Sequence, residues 1–100
     1  MQIEDLGFCD KGAAPAFVRD NTFTVDGSFP SYANGGQLSV GQAGAAGGYL
    51  GMVEALRQLT GTAGGTQVAD ARVGMVSGFG MINYDRGLCT AAAILARSDA

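Results

Sequence analysis

The stretch from Asn34 to Leu59, NGGQLSVGQAGAAGGYLGMVEALRQL, restricts what this chain can fold into more than any other. Between Gly41 and Gly48, seven of eight residues are Gly or Ala. A Gly inside a helix costs about 1 kcal/mol relative to Ala, so a solvent-facing helix would not carry so many. Small side chains instead let other backbone or a ligand approach closely. The expected structure is a loop feeding a buried helix over residues 39–60, its start directed at something. Ser39 and Gln42 have the S/T-x-x-E/Q spacing of a capping box, in which each side chain satisfies the other residue's amide. Tyr49, Val53, Leu56 and Leu59 then fall at helical spacing. Arg57 in the last turn suits the macrodipole, and Gly61 is placed to stop the helix.

A chain of 100 residues is expected to make one domain at most, with a modest core. Six basic residues against nine acidic ones give a net charge of −3, without a basic run, which argues against a nucleic-acid partner. No apolar run reaches the ~18 residues of a membrane span. The pairs Gly44/Gly48 and Gly47/Gly51 have membrane-helix spacing, but Glu54 and Arg57 follow too closely, and packing in a soluble core is the better reading. MQIEDLG has neither the basic region nor the apolar centre of a signal peptide. Cys9 and Cys89 have no CxxC or zinc spacing, so a cytoplasmic protein with reduced, buried and inert thiols and no metal is expected. Histidine is absent. That excludes Cys-His and Ser-His nucleophile pairs within this chain and leaves carboxylates, Tyr, Lys and Cys for any chemistry.

In chain order, residues 2–9 read as the last turns of a helix ending at Gly7, with Glu4 and Asp5 at the unfavourable end of the dipole. So short a helix is marginal alone, and the N-terminus reads as cut into a larger fold. Residues 10–33 are expected to be a long ordered loop or lid with a turn at Asp26-Gly27, a surface loop with no role being the competing reading. Loops of that length are uncommon without a function or a neighbour to pack on. GTAGGTQVAD, after the central helix, reads as a flexible connection. Residues 72–76 and 90–97 have strand length and lack alternation, as strands buried on both faces do, although the Ala- and Leu-rich second run could also pass for a helix by propensity. Between them, Ser77 to Leu88 reads as a twelve-residue functional loop, in which Gly78 and Gly80 need unusual backbone angles or close approach.

The glycine stretch resembles the thiolase motif G-G-x-x-S-x-G-H-P-x-G-A-T/S-G. Gly35, Gly36, Ser39 and Gly41 match it, and Gln42 and Ala43 stand where the family has His and Pro. LGFCDKG with the following Phe17-Val18, Asn34-Gly35-Gly36, and ALRQLTG resemble the lipid-transfer-protein (sterol carrier) type of thiolase in particular. The likeness covers essentially the whole chain and corresponds to roughly the last quarter of such an enzyme. It implies an α/β fold: the C-terminal part of a thiolase-like fold, a buried helix packed on antiparallel strands of a mixed sheet, incomplete on its own.

The resemblance implies a site as well. Gln42 replaces the histidine that activates the nucleophilic cysteine and helps hold the thioester oxygen; Gln can donate to an oxyanion but cannot take a proton. The family's second cysteine falls near Val76, while Gly78 and Gly80 retain its glycines. The nucleophile and an N-E-x-F-like motif lie upstream in the family and are not in this sequence. The candidate catalytic residues are Gln42, Gly78, Gly80 and Tyr84, with Asp85 and Arg86 beside the last. Asn34, Gly35, Gly36, Ser39 and Gly41 are the candidate substrate-binding residues. Gln42 as a helix cap and nothing more is a competing reading.

The implied activity is acyl transfer on acyl-CoA thioesters, making or breaking a carbon–carbon bond next to the carbonyl, with no cofactor other than coenzyme A in the substrate. The isolated chain is expected to be inactive, a fragment or one subunit of a split enzyme. Its implied partners are the remaining thiolase segment and, for the parent, a second copy. The alternatives are a retro-aldolase component, with Tyr84 as acid or base, and a non-catalytic scaffold subunit; either would work with an OB-fold/zinc-ribbon partner.

Overall fold

The structure, a computed structural model, describes residues 2–42 and 44–99; Ala43, which stands at the family's proline, lies outside the described residues, as do the side chains of Ala45, Ala46, Phe79, Met81 and Ile82. The chain divides into two compact units, Met1–Tyr32 and Ala33–Ala100, rather than one.

The first unit begins with α1 (Gln2–Asp5). Gly7 has φ 83° and ends it as expected. The Gly7 and Phe8 amides donate to the Glu4 and Ile3 carbonyls, the two bonds of a Schellman motif. Glu4 and Asp5 escape the unfavourable dipole end by bonding elsewhere. Glu4 Oε1 accepts from the Ala14 amide at 3.0 Å, the opening turn of α2 (Ala14–Asp20), where a carboxylate satisfies an orphan donor. Asp5 pairs with Lys11. The expected loop over 10–33 therefore contains a helix, which Pro15 in its first turn is suited to start. After α2 the chain turns at Thr24–Gly27, with the Gly27 amide on the Thr24 carbonyl at 3.0 Å. A Cβ on Gly27 would lie 2.2 Å from the Thr22 carbonyl oxygen, so the turn requires glycine. Phe29 meets Phe8, Phe17 and Phe23 edge to face at centroid separations of 4.9, 5.1 and 5.5 Å. This ring cluster gives the segment its own apolar centre.

In the second unit the expected helix over 39–60 is found in pieces: α3 (Gly36–Val40), a 3₁₀ stretch (Gly44–Tyr49) and α4 (Leu50–Leu59). Gly41, at φ 91° and ψ 167°, ends α3, because that conformation cannot continue a right-handed helix. Ser39 therefore lies inside a helix and cannot be an N-cap, so the capping box with Gln42 is absent. Gly61 (φ 72°) closes α4 as expected, with its amide and that of Thr62 on the Gln58 and Arg57 carbonyls.

The strands are longer than expected. β1 (Val73–Asn83) and β2 (Arg86–Ala96) form an antiparallel pair in register from Val73↔Ala96 to Asn83↔Arg86. The twelve-residue loop does not exist. Tyr84 and Asp85 alone join the strands, at φ 48° and 62°, the left-handed pair of a type I′ hairpin turn. No Gly marks that turn, which is why the sequence pattern hides it. Gly78 and Gly80 have ordinary strand backbones, and a Cβ on either would meet nothing within 4 Å.

α4 packs on β1, where Val76 comes within 3.9 Å of the position a Gly51 Cβ would take. On the other face of the hairpin Val73 and Ile94 are 63% and 68% exposed. The expected burial on both faces fails because α4 and the two-stranded sheet each cover only one side of the other. For the same reason Tyr49, Val53 and Leu56 of the apolar stripe stand exposed and only Leu59 is buried. Cys89 is exposed on β2 and Cys9 is half-buried, so neither is the sequestered thiol expected. Burial and the nearby Glu4 and Asp10 push the Cys9 thiol upward. Among the described residues no helix is long and apolar enough to cross a membrane.

Candidate functional site

The candidate binding residues share one small structure. Asn34 folds its side chain back so that Oδ1 accepts from the Gly36 amide at 2.9 Å, an Asx turn. Gly35 sits at φ 85°. A Cβ there would fall 2.5 Å from Ser39 Cβ, so both its backbone and its surroundings require glycine. α3 follows directly and ends at Gly41, whose amide donates to the Gln37 carbonyl. Asn34, Gly35, Gly36, Ser39 and Gly41 thus form one turn and one short helix.

Gln42 lies just beyond Gly41, exposed, between α3 and the 3₁₀ stretch. Its Cγ is 3.4 Å from where a Gly47 Cβ would stand, and Gln37 Nε2 is 3.6 Å from the same point. Gln37 Nε2 also donates to the Gly47 carbonyl at 3.1 Å. The two glutamine side chains therefore flank the buried Gly47 backbone, and a Cβ at 47 would sit in ordinary van der Waals contact with both.

The second group of candidates is elsewhere in the unit. Gly78 and Gly80 are on β1, opposite Ala91 and Cys89. Tyr84 is at the hairpin tip and 91% exposed, next to Asp85 and Arg86. No hydrogen bond or ion pair among the described residues joins Tyr84 to Gln42.

Residue patterns did not single out the polar face of α4. Glu54, 13% exposed, accepts from Asn34 Nδ2 at 3.2 Å, Arg57 Nη1 at 3.1 Å and Gln58 Nε2 at 2.9 Å. Gln58 Nε2 also donates to the Thr66 carbonyl at 2.8 Å, and its Oε1 accepts from the Val68 amide at 2.8 Å. Gln67 Nε2 donates to the Gln58 and Val68 carbonyls, and its Oε1 accepts from the Ala63 amide. The segment expected to be flexible is therefore tied to α4 by side-chain amides. Only the i, i+3 and i, i+4 spacing of Glu54, Arg57 and Gln58 hinted at this face. The partners beyond the helix had no local signal.

A glycine-built turn and a broken helix ahead of α4, followed by a β-hairpin, form an α/β unit. The chain belongs to the thiolase C-terminal domain-like family, whose model matches residues 1–96. It is 42% identical over 62 residues to a 17-hydroxy-3-oxo-4-pregnene-20-carboxyl-CoA lyase of Mycobacterium tuberculosis, a match covering 62% of this chain and 15% of that protein. It is 35% identical over 80 residues to an acetyl-CoA acetyltransferase of Methanothermobacter thermautotrophicus, covering 80% of this chain and 21% of the relative. A steroid side-chain-cleaving aldolase of Thermomonospora curvata is 40% identical over 61 residues, covering 61% and 15%. The matched segments span about a fifth or less of these relatives' lengths. No solved structure matches the chain.

Proposed function

We propose that this chain is the C-terminal part of a thiolase-like enzyme that makes or breaks a carbon–carbon bond beside the carbonyl of an acyl-CoA thioester. The observation that carries the reading is the family match over residues 1–96, which includes the whole glycine-built turn and the break that holds Gln42. In this reading Gln42 donates a hydrogen bond to the thioester oxygen as negative charge develops there, and the turn from Asn34 to Gly41 borders the substrate. The nucleophile and any general base come from the remaining thiolase segment, so the isolated chain has no turnover. The exposed apolar face of the hairpin supports such a partner.

Retro-aldol cleavage is the second reading. It is favoured by the lyase and aldolase names of two relatives, and the base it needs is a group other than Gln42, which cannot accept a proton. In that reaction a base takes the β-hydroxyl proton, the Cα–Cβ bond breaks, and its electron pair enters the thioester as an enolate that is then protonated at Cα. Free coenzyme A is not consumed, whereas thiolysis consumes it.

The test is co-expression of the chain with an upstream thiolase-like segment, followed by assay of thioester substrates with and without free coenzyme A. Turnover that requires coenzyme A identifies acyl transfer, and turnover without it identifies retro-aldol cleavage. Gln42→Ala should lower kcat about 100-fold in either case. An assembled, folded pair with no turnover on any thioester overturns both readings.

A further inference from the structure

We infer that Glu54 is a positioning residue that holds the Asn34–Gly41 turn against α4 and so sets where Gln42 stands. The carboxylate is largely buried and its bonds are divided. Oε1 takes Gln58, and Oε2 takes Arg57 and Asn34. Asn34 is 20 residues away in sequence, and it is the residue whose other side-chain atom fixes the Gly36 amide. A continuous path therefore runs from Arg57 through Glu54 and Asn34 to the first amide of α3. Gln37, the second residue of α3, bonds the Gly47 carbonyl on the other side of Gln42. The segment bearing Gln42 is tied at both sides, and Glu54 supplies the only charged tie among those described.

A carboxylate suits this place because it accepts from three donors and offers none. Gln at 54 would replace one acceptor oxygen with a donor and so lose either the Gln58 bond or the Asn34 and Arg57 bonds. Ala at 54 would lose all of them and leave the Asn34 amide without its partner.

The kinetic part of this inference rests on the acyl-CoA reading; the structural part does not. The experiment compares Glu54→Ala, Glu54→Gln and Asn34→Ala, with Arg72→Ala as a surface control, in the chain co-expressed with its upstream segment. Deuterium uptake of peptides covering 34–42 and 73–96 is measured beside kcat and KM. Glu54→Ala should speed exchange at 34–42 by roughly 10- to 100-fold while the hairpin stays protected. Glu54→Gln should fall between it and the wild type. Adding Asn34→Ala to Glu54→Ala should change little further. In Glu54→Ala kcat should drop about 100-fold, with a smaller rise in KM because the loosened turn also borders the substrate, and Glu54→Gln should fall between it and the wild type.

The inference fails if the wild-type 34–42 amides exchange like open chain, if Glu54→Ala leaves their exchange unchanged, or if it deprotects 73–96 equally. Absence of wild-type turnover with the exchange pattern intact would instead sink the acyl-CoA reading and leave Glu54 as the tie.

Discussion

Phe8, Phe17, Phe23 and Phe29 in the first unit turn their rings on one another, whereas Val73, Leu88 and Ile94 of the hairpin stand more than half exposed. The first segment has only two short helices and still brings its four rings together, because Gly7 and Gly27 let the backbone double back. The hairpin has near-perfect regular structure and cannot do this. Its side chains alternate between two faces, and one helix covers only one of them. Local order and apolar contact are thus separate achievements: the hairpin's open face needs outside cover to make contacts that the glycine-turned segment makes within itself.

The largest effect that would break this comparison is at Phe29, which contacts three rings. Phe29→Ala should destabilise the first unit by about 3 kcal/mol, seen as a lower urea midpoint by near-ultraviolet circular dichroism. A change under about 0.5 kcal/mol, the size of an ordinary surface substitution, would mean that the rings do not form its centre. Gly35→Ala is next. It places a Cβ 2.5 Å from Ser39 Cβ at a left-handed backbone position, so the loss should be about 2 kcal/mol in thermal unfolding. Retained wild-type stability would show that the turn can be rebuilt.

Ile94→Ser sharpens the comparison from the other side. In the chain alone the cost should be within about 0.5 kcal/mol, as for a surface site. In the assembled enzyme it should rise to about 2 kcal/mol, if the upstream segment covers that face. Equal costs in both settings would mean that the face stays open.

The smallest effect is that of acid. Bonds from the Thr24 hydroxyl to Asp26, the Arg97 guanidinium to Asp99 and Lys11 to Asp5 hold these carboxyls below the usual range. A lowered folded pKa stabilises fully above the unfolded value near 4 and loses that contribution as pH falls through the folded value. All three groups are at the surface, so the change should be slight and confined to pH below about 4. Carboxyl titration by NMR checks it: Thr24→Ala should raise the Asp26 midpoint, and an unmoved midpoint would deny the hydroxyl its role.

Much of this protein was readable residue by residue. Gly7 and Gly61 ended helices, Asp26-Gly27 marked a turn, and Gly35-Gly36 with Ser39 and Gly41 pointed to the family. Those are local demands, since a residue's own φ or its neighbours' amides require them. The two-residue turn at Tyr84-Asp85 escaped notice because its residues occupy conformations more typical of Gly and Asn. The break at Gly41 overrode a capping box that the spacing of Ser39 and Gln42 had suggested.

The sequence by itself determined which family this chain belongs to and where its backbone must bend. Only tertiary structure decided that Glu54 meets Asn34 across 20 residues, that Gln58 and Gln67 secure the segment after α4, and that one face of the hairpin is left open. The physical reason is that bends follow from conformational preferences carried by each residue. The partners of a side chain and the cover over a sheet depend on what distant parts of the chain bring within a few ångströms.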